Sequence, residues 1–313
     1  MPVTLIIYAI LYAAALVFLA GCVARAVRYA RAPLHLRWEV YPVPHEEPQR
    51  VRHGGSYFEE TDWWTRPAQF NLLGELKVML PEMLFLKGLW EFNRQLWYRS
   101  FAFHLGLYLL TGTLALLVLS ALLWLAAPGL IFGATGRLLH YVYMATGVSG
   151  VALAVVGALG LLHRRLTDEE LANSTTGGDI FNLLFFLVTL GTLAAGYVFA
   201  GPEAPGVLGI AYGWLTWDAS LEIPPVLAAG LILGALLASY IPLTHMSHFI
   251  AKYFTYHSVR WDDTPGRHSA KLQKRFAEYL TYRPTWSAPH VGADGAKTWA
   301  DIATANPAPG AKK

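Results

Sequence analysis

The chain of 313 residues contains a single cysteine, Cys22. One thiol excludes an intrachain disulfide, a cysteine-ligated iron–sulfur cluster and covalent haem attachment through Cys-x-x-Cys-His. Charge is also scarce: Asp, Glu, Lys and Arg make up 14% of residues against 55% hydrophobic, and mean hydropathy is +0.37. That balance argues against a soluble domain. There is no internal repeat, phosphate-binding glycine loop or nuclease-type cluster. The net charge of +3 reflects how arginines flank the apolar stretches, so no nucleic acid is implied.

What the chain does have is long apolar runs. Five stretches carry no Asp, Glu, Lys or Arg: 3–24, 100–136, 138–163, 180–202 and 223–251. Each reaches the roughly 20 residues that cross about 30 Å of hydrocarbon. A lipid-embedded chain must satisfy its backbone hydrogen bonds internally, which points to helices. The expected fold is an all-α integral membrane protein, a bundle of five transmembrane helices near 3–27, 101–125, 138–163, 180–200 and 223–251. The second stretch should turn at Ala126-Ala127-Pro128-Gly129. The membrane domain then covers 1–252, with a cytoplasmic amphipathic insertion at 28–99 and an extended, partner-docking tail at 253–313.

Leu19-Ala20-Gly21-Cys22 matches the small-residue pattern before a lipidated cysteine. A cleaved signal carries its positive charge before the apolar run, and here the arginines come after it. The first stretch is therefore expected to stay as a permanent helix.

Charge sets the expected orientation. Arg25, Arg28, Arg31 and Arg37 follow the first stretch, Arg164 and Arg165 the third, and Lys252 and Arg260 the fifth. The 201–222 loop has no Lys or Arg but carries Glu203, Asp218 and Glu222; only Arg137 opposes the trend. The positive-inside rule puts the N-terminus outside and the C-terminus in the cytoplasm. His104, His163, His245 and His248 then lie toward the cytoplasm, and His140 toward the outside.

In the insertion, Pro42–Pro48 is too rich in proline for regular structure. Further on, Leu80, Met83, Leu84, Leu86, Trp90 and Trp97 recur near helical spacing, as in an interfacial amphipathic helix leading into the second span. Val207–Trp217 is too short to span and should lie at the surface or cap a cavity. In the tail, 270–282 reads as a short membrane-surface helix, and the Pro-, Ala- and Gly-rich remainder cannot build a core of its own. Its reading is disorder or, preferably, a lie across a partner.

Ionisable groups inside a membrane are expensive and usually functional. His104 lies five residues after Arg99, and His248 four residues before Lys252. Each imidazole is about 6–8 Å past its nearest charge. Two imidazoles at one depth on different helices could clamp a b-type haem. His245 competes with His248 for the fifth helix's ligand position; the one left over would contact a haem propionate, a quinone oxygen or a partner. His163 and Arg164, at the membrane edge, are candidate propionate contacts. His140 is about 34 Å from His163 on the same helix, and is a candidate quinone or second-haem contact. His45, His53, His257, His268 and His290 lie outside the spans, with no spacing for a metal cluster.

At Ser100-Phe101-Ala102-Phe103-His104-Leu105-Gly106-Leu107-Tyr108 and Pro242-Leu243-Thr244-His245-Met246-Ser247-His248 the chain resembles the respiratory nitrate reductase gamma-subunit family of five-helix cytochromes b. The long insertion and Tyr282–His290 look more like the branch associated with heterodisulfide-reductase-like iron–sulfur subunits. The resemblance implies a bacterial or archaeal cytoplasmic membrane, with electrons passing between menaquinone or ubiquinone and a cytoplasmic iron–sulfur subunit. It also implies that His104 and His248 are the axial ligands of the cytoplasm-proximal haem b. The family's distal haem uses positions that here hold Leu114 and a histidine-free stretch near Gly230. One haem is therefore expected, a second requiring His140 or His163. Such a chain is an electron-transfer subunit and not a complete enzyme. The competing expectation is a haem-free membrane anchor or quinone-binding subunit.

Overall fold

Apolar runs without Gly-Pro breaks give long helices, and the computed structural model contains five that are long and apolar enough to cross a membrane. It describes residues 2–32, 44, 46, 49, 52, 56–65, 71–262, 269–286 and 291–305. His45, His53, His268, His290 and most of Pro42–Pro48 lie outside these residues. Helix one is Val3–Arg31, helix two Arg94–Ala126, helix three Ala134–Thr167, helix four Gly177–Val198 and helix five Pro225–Leu243. No strand occurs among the described residues. The protein is an all-α membrane bundle.

The ends differ from the sequence expectation for physical reasons. Helix two begins at Arg94, well before 101, because arginine ends an apolar run without ending a helix. The true start is set by Asn93, whose side chain accepts from the Leu96 amide over 3.0 Å. Helix three likewise runs four residues past His163, through Arg164 and Arg165 to Thr167. Thr176 and Asp179 form a reciprocal capping box that starts helix four.

Helix five departs most. It stops at Leu243, not 251, and the chain passes through a 3₁₀ turn at His245–Ser247 into a new helix, His248–Phe254. Pro242 lacks the amide that would bond back into the helix. Thr244 is extended, and its side chain accepts from the Met246 amide over 3.4 Å. The amphipathic insertion is also not one helix. It breaks into Leu72–Leu84 and Lys87–Phe92, joined at Leu86 with φ 53°.

The chain divides into two units, Met1–Val27 with Lys77–Ile250 and Arg28–Leu76 with Ala251–Lys313. In the first, helix two packs along helix three, helix three on four, and four on five. Small residues allow the closest approach: a Cβ on Gly157 would overlap the Phe103 backbone, and one on Gly106 the backbones of Gly150 and Ala154. The core is Phe103, Ala154, Ala158, Leu183, Phe186, Leu190 and Leu237. The 207–216 helix lies on the far end of helix two, where Tyr212 stacks on Trp124 at 4.3 Å. Helix one meets it through Tyr12, whose ring lies 4.7 Å from Trp214.

In the second unit Lys271 closes the end of helix one, donating to the carbonyls of Ala30 and Ala32 over 3.1 and 2.6 Å. Tyr253 stacks on His257 at 4.1 Å, and His257 Nε2 lies 3.6 Å from Glu75. The described part of the tail beyond 290 carries one short helix. Thr298 and Asp301 cap a short helix, Trp299–Thr304, and Trp299 packs on Trp286 at 5.7 Å.

Candidate functional site

Helices two and five do not pack along their lengths, and His104 and His248 face each other between them. Their ring centroids are 6.0 Å apart and their planes cross at 69°. Helix two carries His104 one turn beyond Ser100. The break after Leu243 turns His248 toward it, because the new helix starts at that residue.

The tautomer of His104 follows from its partner. Its Nδ1 lies 2.7 Å from the Ser100 carbonyl, and a carbonyl only accepts. Nδ1 therefore carries the proton, and Nε2 keeps its lone pair, the arrangement a metal-binding imidazole requires. Phe103 sits behind the ring at 5.6 Å, edge-on. One turn further on, the Tyr108 hydroxyl donates to the Met83 carbonyl over 2.8 Å, holding the 72–84 helix beside the site. Lower down, Trp97 donates to the Phe85 carbonyl over 2.7 Å and stacks on Phe101 at 4.6 Å.

His245 goes elsewhere. Its Nε2 is 3.3 Å from Asn182 Nδ2 and 3.9 Å from Asp179, both on helix four. The Tyr240 hydroxyl donates to Asn182 Oδ1 over 3.0 Å. Asp179 is also 3.5 Å from Arg165. No motif in the sequence announced Asn182, Tyr240 or Asp179 as neighbours of His245. The only signal was polarity inside or beside an apolar run.

The other expected site residues lie apart from the pair. His163 is exposed, and Arg164 is held by Asp168 at 3.1 Å. His140 Nδ1 is 2.8 Å from the Tyr143 hydroxyl, on the rim of a cavity of about 310 Å³ lined by Trp124, Phe132, Arg137 and Tyr141 among others. Among the described residues neither His140 nor His163 faces a second imidazole. Leu114 is 62% exposed on the outer surface of helix two, and Gly230 abuts Leu193 of helix four. Among the described residues no three His, Cys, Asp or Glu side chains converge as a metal cluster would.

No protein-family model, curated protein or solved structure matches the chain.

Proposed function

We propose that the protein is a membrane cytochrome b subunit, holding one b haem between His104 and His248 and passing electrons between the quinone pool and a cytoplasmic iron–sulfur partner. The observation that carries this reading is the His104–His248 pair itself, two imidazoles from different helices at 6.0 Å. Imidazole bonds to first-row metals are about 2 Å long, which puts two rings sharing one metal ion roughly 6 Å apart, centroid to centroid. The Ser100 carbonyl fixes the tautomer with Nε2 free to ligate. Bound there by His104 and His248, a haem would supply one-electron transfer.

The chain's own part is positional. The Gly106 and Gly157 contacts with helix three hold the His104 turn, while the break at Pro242–Ser247 aims His248. His245 is engaged by Asn182, which supports His248 as the ligand from helix five. One haem rather than two is supported by Leu114 and Gly230, which face lipid and helix four. The arginine-rich ends support a cytoplasmic C-terminus. In this reading the unit of residues 28–76 and 251–313 engages the iron–sulfur partner, and its exposed Trp286 suits such a contact.

An absorbance spectrum of the purified protein, oxidised and then reduced, tests the proposal. A b-type alpha band is expected, lost in His104→Ala and His248→Ala and kept in His245→Ala. A wild-type spectrum without that band overturns the proposal and leaves a haem-free anchor.

A further inference from the structure

We propose that His245, together with Phe181, Phe185 and Tyr240, forms the binding site for a quinone headgroup, at the same end of the bundle as the His104–His248 pair. The inference rests on the electron-transfer reading above and gives its exchangeable ligand a place. Tyr240 donates to Asn182 Oδ1, which leaves Asn182 Nδ2 to face His245 Nε2. In the neutral ring Nε2 is then the acceptor and Nδ1 carries the proton. That N–H has no partner among the described residues, and the His245 side chain is 67% exposed. Asn182 is buried, so the orientation is built from inside the bundle.

The surroundings suit a flat lipophilic acceptor. Phe181, Phe185 and Tyr240 form a mutually packed aromatic wall with centroids 5.6 to 5.9 Å apart. Phe181 is 51% exposed on the side of the bundle, open to a ligand arriving from the bilayer. A quinone carbonyl accepts from the His245 N–H while its ring lies on that wall. The Asp179 carboxylate, 3.9 Å from His245 and engaged by Thr176 and Arg165, places an ionised group at the rim.

Position decides between this site and the cavity beside His140. Phe103 packs at Gly157, so His140 lies about 25 Å further along helix three. Electron tunnelling falls exponentially with distance, and His245 is only three residues from His248. The His140 cavity is concave and aromatic but stands at the wrong end for a protein with one haem.

A fluorescent alkyl-hydroxyquinoline N-oxide, a quinol mimic, is titrated into the full-length purified protein and its fluorescence followed. We expect the dissociation constant to rise at least tenfold in His245→Ala and several-fold in Tyr240→Phe, which keeps its shape. Little change is expected in Arg137→Ala or His140→Ala, and circular dichroism with gel filtration reports that each variant is folded. Unchanged binding in His245→Ala, loss in the His140 variant, or no binding to the wild type overturns the proposal. A His245→Ala effect on the haem reduction potential alone, with binding intact, also overturns it and makes His245 a propionate contact. The titration needs no turnover, so a missing alpha band would sink the electron-transfer reading without obscuring this result.

Discussion

The guanidinium of Arg25, at the end of helix one, closes the end of helix five at Leu243. It donates to the Leu243 carbonyl over 2.8 Å and to the Pro242 carbonyl over 3.1 Å. Those are two of the orphan acceptors that any helix end leaves, and here the chain changes direction just beyond them. Gly21 makes the approach possible, since a Cβ there would press on the Pro242 ring at 2.9 Å. Because the break sets the direction of His248, Arg25 supports the site without touching it.

Replacing Arg25 with Met should therefore cost stability and haem together. Hydrogen bonds from a charged donor contribute about 1.5–3 kcal/mol, and a loss of that order is expected in a reversible unfolding assay in mixed micelles. Haem content per polypeptide should fall as well. Arg28→Met, which removes an equal charge one turn on, should leave both quantities near wild type. Equal effects from the two variants would mean that total positive charge matters and the cap does not.

The five spans were legible because burial in lipid leaves an uninterrupted apolar run, and the His104–His248 pairing because two costly groups stood at matched depth. The break in helix five was not. Pro242 alone does not say that the helix stops, and the residue that satisfies the freed carbonyls is more than 200 positions away. In the sequence Arg25 reads as a topology charge, which its position explains equally well. The resemblance favours His248 over His245, but the neighbour that engages His245, Asn182, is 63 residues distant and carries no signal in the sequence. Leu86 turns the insertion back with a positive φ that no Gly or Asn announces.

The contact between helices two and three gives a paired prediction. Gly157→Val puts branched carbon into the Phe103 backbone, and both helices must separate. Overpacking of that kind costs about 1–3 kcal/mol or more, and Phe103 precedes His104, so haem retention should drop too. Gly112, on the same helix as His104, has nothing within 4 Å of its would-be Cβ. Gly112→Ala should be neutral or stabilise by up to about 1 kcal/mol through helix propensity alone. Similar losses in both variants would show that helix two tolerates no added side chain and that the Gly157 contact is nothing special.

Tyr8 offers a substitution whose sign runs against expectation. It is fully buried on helix one, and its hydroxyl has no hydrogen-bond partner among the described residues. An unsatisfied buried polar group costs about 1–3 kcal/mol. Tyr8→Phe keeps the ring against Trp217, at 6.4 Å, and removes the unsatisfied oxygen. Unfolding should occur at equal or higher denaturant, with a gain of up to about 1 kcal/mol. A clear destabilisation would mean that an ordered water holds that hydroxyl.

The helix at Trp299–Thr304 should depend on pH through Asp301. Its carboxyl is held below the ordinary value of 3.8, first by the Thr298 backbone N–H and then by the Thr298 hydroxyl. Both bonds favour the ionised form; the amide donates over 2.8 Å and the hydroxyl over 2.8 Å. A carboxyl depressed in the folded state contributes stability that is present above its unfolded value and is lost as pH falls through the folded one. The cap should hold from neutral pH down to about pH 4 and weaken below it. Hydrogen exchange at the Thr298 and Asp301 amides, corrected for intrinsic rates, reads this directly. Protection should fall on acidification in the wild type, and should be low with no such drop in Asp301→Ala. Protection that does not change between about pH 6 and about pH 3 would contradict a carboxylate cap. It would leave the Trp286–Trp299 contact as what orders the tail.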